Sequence, residues 1–148
     1  MKSMLKEAVI DRIKTIAAAA TGVVTSDAVD MAGFNACLFI VTLGTLTSAG
    51  TVTCKLQQSS DDGSADTYAD IEGSSVANSG NTATLKQILV SIIDPRERYL
   101  KLVATRAVQN CGIDSIQAIK YNAKVVPITD DASVDASVEV IGPDEGTA

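Results

Sequence analysis

Histidine and tryptophan are absent from this 148-residue chain, and aromatic residues make up only 3% of it. Without histidine there is no Ser-His-Asp or Cys-His relay, and the commonest side-chain ligand for transition metals is missing. With three Tyr and two Phe, flat faces for stacking bases or sugars are scarce, and the core has to be built from Val, Ile, Leu and Ala. Neither Gly-x-x-x-x-Gly-Lys-Ser/Thr nor Gly-x-Gly-x-x-Gly occurs, so no phosphate cradle is expected. Adjacent carboxylates stand only in turns, Asp61 with Asp62 and Asp130 with Asp131, where solvent does not separate an acid from a base as a glycosidase requires. A cysteine nucleophile would need a base or a helix N-terminus beside it, and none is visible. The expectation is a protein with no enzymatic activity, no cofactor, no metal and no small-molecule substrate.

An excess of positive charge is also lacking. The formal net charge is −6. All 12 Lys and Arg lie at or before Lys124, where 12 acidic residues offset them, so the excess falls on Asp130, Asp131, Asp135, Glu139, Asp144 and Glu145. A neutral body with an acidic tail has no basic footprint for a phosphate backbone, and nucleic acid is not expected as a partner. No run approaches the roughly 20 apolar residues of a membrane helix. The segment Met1 to Glu7 has mixed charge and no apolar core of a secretion signal, so synthesis in the cytoplasm is expected and a membrane is not. Three cysteines, Cys37, Cys54 and Cys111, form no Cys-x-x-Cys pair and read as small buried core residues assembled under reducing conditions.

What is present is strand pattern. Ala36 to Leu43 is a nearly continuous apolar run suited to a strand covered on both faces. After Gly44 and Ser48-Ala49-Gly50, Val52, Cys54 and Leu56 alternate with Thr51, Thr53, Lys55 and Gln57, which predicts a hairpin from Phe34 to Gln58. Thr67 to Ile71 and Thr84 to Ile93 read as further strands, the latter stopped by Asp94-Pro95. Leu100, Leu102 and Ala104 then alternate with Lys101 and Thr105, forming a second hairpin with the strand before. Asn110-Cys111-Gly112 reads as a turn. Ile116 to Val125 is a last strand whose apolar phase slips between Ala118 and Ile119, predicting a bulge. The loop holding Asp61, Asp62 and Asp66 has ordinary turn chemistry and not the spacing of an EF-hand.

Both ends differ from this body. Leu5, Val9, Ile13 and Ile16 recur at steps of four, four and three, which predicts a helix over residues 3–20 with Ser3 as its cap. It caps the open end of a sandwich, leaves the domain as an arm, or is an unstructured leader. Residues 129–148 form an acidic tail read as solvated. The chain is therefore an N-terminal helix or arm (1–20), an all-β domain (21–128) of jelly-roll-like sandwich type, and the tail.

Two strings add a resemblance. Val29-Asp30-Met31-Ala32-Gly33-Phe34, running on to Leu56-Gln57-Gln58-Ser59-Ser60-Asp61-Asp62-Gly63, is followed later by Arg98-Tyr99-Leu100-Lys101-Leu102-Val103-Ala104-Thr105. Together they resemble small structural proteins of tailed bacteriophages, above all capsid decoration (cement) proteins. The similarity covers residues 26–106. It implies a jelly-roll-like fold, a place on the capsid surface of the virion, the major capsid protein as partner, and a homo-oligomer, dimer or trimer. Under that resemblance Leu5, Val9 and Ile13 are candidate anchors of an arm, and Arg96 and Arg98 candidate contacts to an acidic capsid surface. The alternatives are a tail-tube, connector or fibre component, or a carbohydrate-binding module, which the lack of Trp disfavours.

Overall fold

The computed structural model describes residues 4–78 and 86–139. One short helix, α1 (Met4–Glu7), precedes nine strands: β1 (Val9–Lys14), β2 (Ala17–Thr25), β3 (Val29–Asp30), β4 (Phe34–Leu46), β5 (Thr51–Ser59), β6 (Ala69–Asp70), β7 (Val76–Ala77), β8 (Gln87–Ile93) and β9 (Tyr99–Ala123). All of these strands belong to one curled antiparallel sheet organised by β9.

β9 is long enough to serve two halves. Its first part, Tyr99 to Ala107, pairs with β5, and its second, Cys111 to Ala123, pairs with β4. Between them Val108 takes a left-handed φ of 67° and the ladders shift register. Along the opposite flank β1, β2 and β3 pair with β9 in succession. Beyond β4 lies β8, and beyond β5 lie the two-residue strands β6 and β7. The halves face each other as an all-β, jelly-roll-like sandwich. Phe39, Val41, Ile116 and Ala118 from one half and Val52, Leu56, Leu100 and Leu102 from the other form the core. Burial of each large aliphatic or aromatic side chain stabilises the fold by about 1.5–3 kcal/mol.

The alternations predicted for β5 and for the start of β9 are present: Val52, Cys54, Leu56, Leu100, Leu102 and Ala104 are all buried. Several connections differ from the sequence expectation. β4 and β5 do not form a hairpin, because each finds its partner in a different part of β9. The turn between them is tight, with Gly50 donating to the Thr47 carbonyl at 2.8 Å. A Cβ on Gly50 would come within 2.6 Å of the Cys111 sulfur, so glycine is needed where the chain crosses between halves. β8 pairs with β4 and not with β9, which removes the second expected hairpin. Asn110-Cys111-Gly112 does not reverse the chain; β9 bends through it. Ala118 and Ile119 pair with Phe39 and Leu38 without a break, so there is no bulge there. The phase slips because Ile119 faces outward, into an apolar hollow lined by Met4, Ala8, Leu38 and Tyr121. The strand expected at 67–71 shrinks to β6.

The helix predicted over 3–20 is also corrected. Among the described residues of this stretch only Met4–Glu7 is helical, and residues 9–14 and 17–25 are strands; Ser3, the expected cap, lies outside the described residues. A spacing of four is nearly one helical turn, but it is also two strand repeats, so Val9 and Ile13 fit either period. Pairing with β9 decides for the strand. Ala17 to Ala20 have high helix propensity, yet they too pair along β9, where tertiary contacts override the local preference. Beyond β9 the chain returns to this flank. Ile128 donates to the Lys6 carbonyl at 3.1 Å, Arg12 donates its backbone N–H to Ser133 Oγ at 3.3 Å, and Glu139 pairs with Lys6 Nζ at 2.7 Å. Residues 128–139 thus lie along α1 and β1, where a solvated tail was expected.

Candidate interface at the loop end

The loop joining β8 to β9, Asp94-Pro95-Arg96-Glu97-Arg98, stands at one end of the sandwich. Asp94 has a left-handed φ of 49° and donates its N–H to the Asn35 carbonyl at 2.7 Å, which fixes the start of the loop. The loop separates two open clefts. One, of about 490 Å³, lies toward Gln58, Asp70 and Glu72, and the other, of about 320 Å³, toward Met31, Phe34 and Lys124. Arg96 lines both, is exposed, and makes no ion pair among the described residues.

Arg98 behaves differently. Its Nε and Nη2 donate to the two carboxylate oxygens of Asp30 at 2.8 and 2.7 Å, a planar two-bond fork. The guanidinium also lies 5.0 Å from the centre of the Tyr99 ring. Asp30 is held below its ordinary pKa chiefly by these bonds from Arg98. Asp30 Oδ1 further accepts the Ala32 N–H at 2.9 Å, and Gly33 takes a φ of 85° in the turn that leads to Phe34. Val29 faces Leu100 and Asp30 faces Tyr99 in the ladder, while Ser59 of β5 faces Tyr99 from the other side. The strings Val29–Phe34, Leu56–Ser59 and Arg98–Leu100 therefore meet at this end, although 68 positions separate Asp30 from Arg98.

The remaining predicted residues are placed elsewhere. Val9 and Ile13 are 6% and 2% exposed and belong to the interior, so neither is available as an anchor while β1 stays in the sheet. Leu5 is half-buried on α1. Arg96 and Arg98 share one loop, with Arg98 committed to Asp30 and Arg96 facing the clefts.

The site's chemistry is that of a surface. Asp70, at the rim of the larger cleft, is held below its ordinary pKa by Lys55 and Gln57, whose nitrogens lie 2.6 and 2.7 Å from its oxygens. Asp61 accepts from the backbone N–H groups of Ala65 and Gly63 and Asp66 from that of Ser60, so both carboxylates bind their own loop, and both pKa values are lowered by these bonds. Cys37 and Cys54 are fully buried, and desolvation pushes their thiols up to about 12. All three cysteines are free. Among the described residues no three His, Cys, Asp or Glu converge as metal ligands, and no helix is long and apolar enough to cross a membrane. Sequence reasoning missed Asp30 as a partner. The only signal was its place in the Val-Asp-x-x-Gly-Phe string, which says nothing of Arg98 across the sheet.

Fold and surface define an all-β sandwich with an open, polar loop end. No protein-family model matches the sequence, and no curated protein matches it. Among solved structures, the PBSX exported protein XepA is similar with a TM-score of 0.54 at 11% identity, over 96% of this chain and 46% of that one. This chain thus spans about half the length of XepA. Weaker likenesses are the C-terminal family 22 carbohydrate-binding module of Clostridium thermocellum Xyn10B, with TM-score 0.43, 14% identity and 84% and 99% of the two chains covered, and Eiger TNF from S. frugiperda, with TM-score 0.35, 11% identity and 90% and 99% covered. At 11% identity the likeness to XepA speaks to the fold alone.

Proposed function

We propose that this protein is a structural component of a tailed-phage virion, binding the outside of the head shell and stabilising it as a decoration protein. The observation that carries this reading is the meeting of the phage-like strings at one end of the sandwich, locked by the Asp30–Arg98 fork. A fold similar to XepA, an exported protein of the phage PBSX, supports it. The partner is the major capsid protein, and the protein works by adhesion, without catalysis, cofactor, nucleic acid or membrane. Each contact of ordinary size buries on the order of 1,200–2,000 Å², and repetition over the shell adds modest interfaces into resistance to internal pressure. Arg96, which has no ion pair among the described residues, meets an acidic patch on the capsid subunit.

The test is co-sedimentation of purified protein with mature heads of the parent phage from which it has been omitted. Saturable binding to heads is expected, and Arg96→Glu should weaken it about tenfold, as reversing one interfacial charge does. Binding to tails alone, or to neither part, overturns the reading and favours a tail, connector or fibre component or a glycan-binding role.

A further inference from the structure

β8 has one side without a partner: among the described residues it pairs only with β4. The ladder fixes which groups look toward that free side. Leu43 donates to the Lys86 carbonyl, and Asp94 donates to the Asn35 carbonyl, so even-numbered residues of this segment turn their backbone groups toward β4. The N–H and C=O groups of Gln87, Leu89, Ser91 and Ile93 point the other way. The same four residues carry the outward side chains, with Leu89 56% and Ile93 67% exposed. Natural sheet edges are usually guarded by charge, proline, a bulge or extreme shortness. Gln87–Ile93 has none of these; its ladder with β4 is unbroken over seven residues.

We propose that β8 pairs antiparallel with β8 of a second copy, in a register centred on Val90. In that register Leu89 faces Ser91 and Gln87 faces Ile93, so the free backbone groups of each copy meet those of the other. A shift of one residue would set groups facing β4 against groups facing outward. A shift of two would lose the match at the ends. That match selects the partner: Lys86 and Asp94 flank the strand at its two ends, so each end of the joint brings a Lys86 of one copy near an Asp94 of the other. Both residues are exposed and neither has an ion pair among the described residues. A neutral strand with opposite charges at its two ends is complementary to itself only when antiparallel, which is the isologous contact of a two-fold dimer. Half-buried Ile92 then meets Ile88 across the joint, extending the core from one copy into the next.

This pairing does not rest on the capsid reading, and sedimentation of the full chain in the absence of heads tests it alone. A concentration-dependent dimer is expected. Lys86→Asp and Asp94→Lys each set like charges opposite at both ends and should raise the dimer Kd about tenfold or more. An equimolar mixture of the two variants should restore association, because both ends of the mixed pair then join opposite charges. Leu89→Pro removes an N–H that faces only the free side, and should abolish the dimer while leaving the monomer's circular dichroism unchanged. A wild-type chain that stays monomeric, an oligomer indifferent to these variants, or a mixture no tighter than its components overturns the proposal. Head binding by a monomeric variant, or a dimer that ignores heads, separates this result from the proposed function.

Discussion

The two flanks of the sheet are finished in opposite ways. On one, β1 carries Asp11, Arg12 and Lys14, and the returning tail covers it, with Ser133 taking the Arg12 N–H. On the other, β8 is uncharged and regular, and among the described strands only β4 forms a ladder with it, while β5 and β7 approach it without pairing. The contrast teaches that the chain spends charged residues and residues 128–139 on sealing one edge, and leaves the other with no second ladder among the described residues. β6 and β7, also at margins, are only two residues long and offer little to pair with.

The largest break in that contrast comes from Ile13. It lies on the sealed flank but is 2% exposed, so its side chain belongs to the core. Ile13→Ala should lower unfolding free energy by about 2–5 kcal/mol in urea or guanidinium titrations. A change under about 1 kcal/mol would show that β1 is a detachable arm after all.

An intermediate effect is expected from acid. Asp30, with its pKa lowered by Arg98, contributes stability that is present above the ordinary carboxylate value of 3.8 and is lost as pH falls through its lower folded value. Asp11 has the opposite sign. Burial first, and then Asp131, raise its pKa above 3.8, so its charged form costs stability at neutral pH, and protonation just above 3.8 relieves that cost. Melting temperature followed from pH 7 to pH 2 should therefore fall less steeply below pH 4 in Asp30→Asn than in the native chain. Asp11→Asn should remove the slight gain above it. Identical pH profiles for all three proteins would mean that neither carboxylate is held as described.

The smallest effect on folding belongs to the bare flank. Leu89→Lys changes an exposed side chain, and should shift unfolding of the monomer by no more than about 0.5 kcal/mol while weakening self-association. A large loss of stability would mean that the outer face of β8 is already covered within one chain.

These contrasts mark what the residues disclosed. Period-two alternation in β5 and early β9 survived into the structure because one face of each meets the core. Pairing was much less legible. Nothing local in Phe34–Gln58 reveals that β4 and β5 would each choose β9, since partner choice was settled about 40 to 90 positions away. The glycine at position 112 and its neighbours were readable as a disturbance but not as a bend within one strand. Val9 and Ile13 were ambiguous because their spacing suits two periods. At the loop end, Arg96 and Arg98 were readable as exposed cations, but their different fates depended on where Asp30 would be.

β9 enters both halves of the sandwich as one unbroken covalent ribbon. Tension applied along it is shared by the ladders of β4, β5 and the N-terminal strands together, so rupture requires many bonds to shear at once where a peripheral hairpin would unzip one by one. A molecule built around such a tie bar yields late and all at once.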